Sequence, residues 1–400
     1  MNYKSLDRRI KRHIIAGDNA IFMAIQPGLE EAGEMELKRM GLPAVREPEP
    51  GSLTTTAGLE ELWRLVLTGR SFSRIYLRLK EFKAQGFREL KSRLESIPWE
   101  LYLRERCEYS VKVSTARSRL HVHEKIIKSL NHSLAEHFRA LEAQPPVFTE
   151  EATGEAETQR IIIRAVEDRF TVSLDAGGGA LNERGYRQHI NEAPLKENTA
   201  SALLILAGIH GTGRLIDPMC GSGTFSLEAM GISAGGITAP EKSYPFEYWP
   251  SFRPNRYDWL VRTIREQQNN PLQVTATDID PKSLDAARKN LEHFAEQSGI
   301  RIENMSIHRE DFFKNGAPEG SVGEETLVIL NPPYGRRLPV QDQMDFFRKT
   351  GTVIKETYKG CRWGIIAPGL ECEKALGLHW DRKFLFKNGG FPVSFITGRS

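Results

Sequence analysis

The stretch "RLIDPMCGSGTFSLEAM", Arg214 to Met230, decides how this chain is read. An apolar run ends on Asp217, a glycine turn follows, and the rest continues at helical spacing. A strand that passes through glycines into a helix opens a βα sheet, and such sheets bind ligands at that turn. Gly221 and Gly223 carry no Cβ, so the backbone can come close to a ligand there. The stretch is not a phosphate loop, because GxxxxGK[ST] is absent, and it departs from GxGxxG, because Thr224 and Phe225 follow the GxG. Asp217 at the strand end suits a nucleoside ligand that also carries positive charge. The alternative is a mere tight turn.

The same rhythm continues downstream. "VTATDID" leads into the helix "PKSLDAARKNLEHFAEQSG", and the strand "IENMSIHRED" follows. "TLVILNPPYG" precedes the helix "VQDQMDFFRKTGTVIKETY", and "WGIIAP" precedes a short helix. "KFLFKNGGFPVSFITG" reads as a closing hairpin. Alternating βα units predict a parallel sheet, with the last strand antiparallel to its neighbour.

Three strand ends carry candidate chemistry. Asp278 can accept from both hydroxyls of a ribose, with Asp280 as the second candidate. Asp280 reads equally as a helix N-cap before Pro281. Asp311, in "REDFF", can accept from an adenine amine while Phe312 packs on the ring; a plain loop acid is the alternative. In "NPPY", the Asn331 oxygen and the Pro332 carbonyl are two acceptors for the two N–H groups of a base's exocyclic amine. Pinning both hydrogens frees the nitrogen lone pair. Tyr334 offers a face on which a flipped-out base stacks, and Pro332-Pro333 keeps the group rigid; a plain strand-end turn is the alternative.

Upstream of about Gly179 strands and helices alternate differently, as in a compact α+β module. "AIFMAIQPGLEEAGEMELKRMGL" reads as strand, turn and helix, "SRIYLRLKEF" as a strand, and "RIIIRAVEDRFTVSLDAGG" as a hairpin. From Leu62 to Arg139 there are 17 Lys/Arg against 8 Asp/Glu, interleaved with aromatics. That excess reads either as solvated faces or as a surface for a phosphate backbone, with Arg74 and Arg78 as candidates. The basic stretch before Ala20 is expected to fray, with contact to nucleic acid as the alternative; it lacks the apolar core of a secretory signal. Four scattered cysteines predict a reducing compartment, the cytoplasm, without disulfides or a cysteine metal site. His121 and His123 lack a third ligand at matching spacing, so no metal is expected. Cys220 is expected to pack rather than react, and "YPFEYWPSFRPNRYDW" to be an insertion on the sheet edge rather than a base-stacking lid.

"DPMCGSGT" with "NPPYG" resembles the S-adenosylmethionine-dependent methyltransferases that modify exocyclic amines of nucleic-acid bases. Together with "GLEELWRLVLTGRSFSRIYLRLKEF", "IPWELYL", "VSLDAGGGALNERGYR" and "APLKEN", nearly the whole chain resembles the THUMP-containing RlmL/YpsC family. The resemblance implies an α/β, Rossmann-like class I methyltransferase domain over 180–400. Its sheet is seven-stranded and mostly parallel. Before it come a basic extension (1–19), a ferredoxin-like part (20–58) and a THUMP-like RNA-binding domain (59–179). It implies S-adenosylmethionine as cofactor and guanine N2 of large-subunit ribosomal RNA as target. Asp217, Gly221 and Gly223 fall on its cofactor motif, and Asn331, Pro332, Pro333 and Tyr334 on its catalytic one. Two features depart from the family: the basic stretch before Ala20, and an end after one methyltransferase domain where some relatives carry a second. NPPY serves guanine in transfer RNA or adenine in DNA equally well, and an RNA-binding assembly factor without catalysis is the rival of another class.

Overall fold

The computed structural model describes residues 3–150, 156–188, 195–269, 271–314, 316–317, 322–333 and 340–400. The first half runs α1 (Tyr3–Ile10), β1 (Asn19–Ile25), α2 (Glu30–Arg39), β2 (Val45–Arg46), β3 (Ser52–Ala57), α3 (Leu59–Thr68), β4 (Phe72–Lys83), α4 (Phe87–Glu95), β5 (Glu108–Ala116), α5 (His123–Ala140), β6 (Val147–Phe148), β7 (Gln159–Val166) and β8 (Arg169–Asp175). Its strands form one sheet in the order β2-β3-β1-β4-β8-β7-β5-β6. The β7–β8 hairpin turns on Glu167 and Asp168, both at positive φ, a strained conformation for residues with a Cβ.

The second half runs α6 (Glu197–Leu206), β9 (Arg214–Asp217), α7 (Thr224–Ala234), α8 (Pro254–Glu266), β10 (Gln273–Asp278), α9 (Pro281–Ser298), β11 (Met305–Arg309), β12 (Thr326–Leu330), α10 (Val340–Thr357), β13 (Arg362–Ala367), α11 (Leu370–Leu376), β14 (Arg382–Asn388) and β15 (Phe391–Arg399). The sheet order is β11-β10-β9-β12-β13-β15-β14. Strands β9 to β13 pair in parallel, whereas β15 is antiparallel to both β13 and β14. The Rossmann-like α/β reading with an antiparallel last strand therefore holds. The hairpin folds back so that β15, not β14, lies beside β13. Every residue of β12 is buried, as a central strand covered on both faces requires.

Two expectations need correction. The basic stretch before Ala20 does not fray. It forms α1 and a wide helical turn, Lys11–Ile15, that bury Ile10 and Ile14 in the core. Arg9 pairs with Glu100 at 2.5 Å, and Asp7 with Arg253 at 2.8 Å. Apolar positions at i and i+4 anchor the stretch, and its cations cover only the outer face. The aromatic insertion does not pack on a sheet edge. Phe246, Phe252 and Tyr257 gather around Trp63 of α3, so the insertion fills the seam between the two halves. Trp249 adds a hydrogen bond across that seam, 2.8 Å to Gln159 Oε1.

A buried polar knot closes the seam beside the insertion. Glu228 of α7 is fully buried and accepts from Arg70 (3.2 Å), Arg184, Tyr186 (2.7 Å) and Ser201 (2.6 Å). Burial alone would raise the Glu228 carboxyl, but the Arg184 and Arg70 guanidiniums outweigh it and hold the group below the usual carboxylate range. Arg70 comes from the first half and also donates to the Gly236 carbonyl at 3.2 Å. A Cβ at Gly231 would lie 2.3 Å from its guanidinium, so a larger residue in α7 there would have to push Arg70 off Glu228.

Candidate active site

The strand ends of the second sheet open into a cavity of about 540 Å³. Its walls come from the β9–α7 turn (Pro218 to Ser222, Thr224 and Phe225), the β10 end (Asp278 to Asp280), the β11 end (Glu310 to Phe313) and the β12 end (Asn331 and Pro333). Parallel packing forces this convergence, because every strand of β9–β12 ends on the same edge.

Asp278 ties two of these loops together. Its Oδ2 accepts from the Gly221 N–H at 2.9 Å, and its Oδ1 from the Asp280 N–H at 2.9 Å. Each oxygen keeps a lone pair for a ligand hydroxyl. Gly221 turns at φ +55° and Gly223 at φ +86°. Gly221 has open space around its missing Cβ, facing the cavity, whereas a Cβ at Gly223 would meet Ala287 of α9 at 3.4 Å. That contact is an ordinary one, so the positive φ is what favours glycine at Gly223, which is not among the residues lining the cavity.

Asp280 borders the cavity but spends its carboxylate as the N-cap of α9, accepting from Lys282 N, Ser283 N and Ser283 Oγ. The Ser283 hydroxyl and those amides hold its pKa below the usual value. Asp311 also lines the cavity; the Phe313 N–H and Lys314 hold its carboxyl low. Phe312 is buried against Tyr358, and Phe313 stands edge-on to Phe346 at the cavity wall. Glu310 and Ile279 line the cavity too. Both follow strand ends, which is the only sequence signal that could have found them.

Asp217 is not at the wall. It is 1 % exposed, its Oδ2 accepts from Ser226 at 2.8 Å, and its Oδ1 is buried without a partner among the described residues. Burial raises its pKa from 3.8 to about 7, against the Ser226 bond. Folding thus favours the neutral acid. The contribution is fully present below 3.8 and is lost as pH rises through about 7. Across that window the melting temperature of the wild type is expected to fall relative to Asp217→Asn. Parallel melting curves in a pH series would remove this account.

Asn331 follows the last residue of β12 and lines the cavity, and its Oδ1 is buried without a partner among the described residues. Pro333 lines the same wall and Pro332 is buried behind it. Tyr334 lies outside the described residues. Cys220 packs, with its thiol pushed up by burial. Among the described residues no three His, Cys, Asp or Glu side chains converge as a metal set, and no helix is long and apolar enough to cross a membrane.

The strand order and this cavity define a methyltransferase-type α/β domain. The family profile described as "RMKL-like, methyltransferase domain" matches residues 184–393, and the RlmL ferredoxin-like domain matches residues 20–76. The first match covers more than half of the chain, which belongs to the RMKL-like methyltransferase family. Ribosomal RNA large subunit methyltransferase K/L of Legionella pneumophila strain Lens is 30% identical over 383 residues, 92% of this chain and 51% of that protein. The chain therefore spans about half the length of that relative. The protein slr0064 of Synechocystis sp., named as an RNA methyltransferase, is 29% identical over 94% of this chain and 95% of its own. The structure of SMU.472, described as a methyltransferase and solved with SAH, superposes with a TM-score of 0.82 over 96% of this chain and 99% of that one; at 24% identity it speaks for the fold.

Proposed function

We propose that this chain is an S-adenosylmethionine-dependent RNA methyltransferase that modifies the exocyclic N2 amine of a guanosine in large-subunit ribosomal RNA. The carrying observation is Asn331, which lines a cavity of nucleoside size and whose Oδ1 is buried with no partner among the described residues. The names of the relatives point to RNA, and to large-subunit RNA in the K/L proteins. The THUMP-like segment within 59–179 would supply RNA affinity.

The cavity suits the cofactor. Its polar walls are acidic, from Asp278, Glu310 and Asp311, and Ile279 and Phe313 offer apolar contact. Asp278 would accept from ribose hydroxyls and Asp311 from the adenine amine, with Gly221 leaving room for backbone approach. Asp217 would act from beneath, through the turn. When bound, S-adenosylmethionine supplies an electrophilic methyl on a sulfonium. Asn331 Oδ1 and the Pro332 carbonyl would hold the two amine hydrogens while positive charge builds on nitrogen, and Pro333 keeps both fixed. No base is needed beforehand, because the amine becomes acidic only once alkylated. Tyr334 is placed by sequence alone as the stacking partner.

Asp278→Ala is expected to weaken cofactor binding by about 1.5–3 kcal/mol, read by titration calorimetry. Asp278→Asn, which keeps one acceptor oxygen, should lose less. Unchanged affinity in the alanine variant would show that the ribose is held elsewhere. The reading as a whole is tested by methyl transfer to under-modified ribosomal RNA, transfer RNA and DNA in parallel, with the product nucleoside identified by mass spectrometry. N2-methylguanosine in large-subunit RNA is expected; methylated adenine in DNA would overturn it.

A further inference from the structure

The first sheet has two unlike faces. Ile21, Met23, Ile75, Leu77, Val172 and Ile163 alternate onto one side and are each at most 1 % exposed. Their sequence neighbours point the other way, and that face is partly open. Phe22 of β1 pairs with Tyr76 of β4, their rings 5.9 Å apart and within 10° of parallel. Arg74 and Arg78 flank Tyr76 along β4, and Arg160 and Arg164 stand on β7 two strands away. Aromatic rings set among guanidiniums on an open sheet are what unpaired bases and their phosphates require.

A strap already lies over this face. The loop 47–51, Glu-Pro-Glu-Pro-Gly, joins β2 to β3. Glu47 Oε1 is 3.0 Å from Arg78 Nη1, and Glu49 Oε1 is 3.3 Å from Arg164 Nη2. Strands β4 and β7 are about 10 Å apart, so two carboxylates of one loop bridge the middle of the face. Arg78, held by Glu47, lies over the Phe22 ring at 5.3 Å. Pro48 and Pro50 fix their φ angles and limit how the strap can fold. Two carboxylates on two arginines, above a ring pair, occupy the positions that phosphates of a strand would take.

We propose that this sheet face docks a single-stranded segment of the substrate RNA, and that the Glu47–Glu49 strap covers it in the RNA-free protein as an internal competitor. The inference rests on the RNA reading above. Charge supports it. Arg74 makes no ion pair among the described residues. Arg74, Arg160 and Lys242 crowd around Gly178 and Gly179 at the edge facing the catalytic half. Two carboxylates stand near: Glu183 acts on Lys242, and Asp175 already accepts from the N–H groups of Gly177, Gly178 and Gly179 and pairs with Arg160 at 3.5 Å. Cations are left over for phosphates, and Lys242 carries the surplus across the seam.

The test is fluorescence anisotropy of the full chain with a short labelled single-stranded RNA, its duplex as competitor, across a salt series. Glu47→Gln/Glu49→Gln should tighten binding by about two- to tenfold, the range that two partly exposed ion pairs allow. Such a gain cannot come from misfolding. Arg74→Glu should weaken binding and lower the salt slope by about one, and cofactor affinity should stay unchanged in both variants. Wild-type affinity in the strap variant and in Arg74→Glu would overturn the docking face and leave the RNA reading standing. Preference for the duplex would also overturn it. A wild-type chain that binds neither this strand nor ribosomal RNA would overturn the RNA reading itself, and the docking face with it.

Discussion

Asn331→Ala should lower kcat by about 10²–10³, by analogy with losing one preorganised group aimed at developing charge. Cofactor affinity should hardly change. The side chain ends β12, while the bonds that shape the proposed ribose site run between Asp278, Gly221 and Asp280. The fold should also survive, because the Asn331 oxygen makes no bond among the described residues that alanine would break. Removing a buried acceptor without a partner costs the folded protein nothing through that atom. This separates the residue from ordinary buried polar groups, whose loss destabilises. Single-turnover methyl transfer from labelled cofactor, beside calorimetric cofactor binding, gives both quantities. Near-normal transfer in the alanine variant would leave the strand end without a catalytic role.

Glu228→Gln should have the largest effect on stability. It keeps shape and volume but removes the counter-charge of Arg70 and Arg184, which are 4 % and 3 % exposed. Breaking a buried ion pair from one side costs about 3–5 kcal/mol, because the remaining charge stays desolvated. The loss should appear in urea unfolding followed by tryptophan fluorescence, since Trp63 and Trp249 sit at the same seam. Because α7 also supplies Thr224 and Phe225 to the cavity, weaker cofactor binding should accompany the loss. An unfolding midpoint equal to that of the wild type would mean that the knot adds no net stability.

Much of this molecule was legible before its structure. The βα units from Arg214 onward follow from local rules. Apolar runs of strand length, glycines at Gly221 and Gly223, and Pro281 at the start of α9 each act within a few residues of themselves. The strand ends carrying Asp278, Asp311 and Asn331 were readable for the same reason, and parallel pairing then brings all three to one cavity. The glycines and acids of these strand ends all read as candidate ligand contacts, Asp280 also as a helix cap, and the structure divides them. Asp217 lies beneath the turn, bonded to Ser226 of its own motif, and Asp280 caps α9, both local roles, whereas Gly221 and Asp278 meet only because parallel pairing sets β9 beside β10. Strand β3, "SLTTTA", escaped the sequence reading because it alternates weakly and owes its place to pairing with β1. The basic segment before Ala20 was misjudged because two isoleucines among many charges are a weak signal until a core exists to receive them. The seam was invisible in the same way. Arg70 and Glu228 lie 158 positions apart, and only the fold sets a guanidinium against that carboxylate. The sequence by itself determined the order of strands and helices and the chemistry at the strand ends. The tertiary structure decided which of those groups face the cavity, and which are spent holding the two halves together.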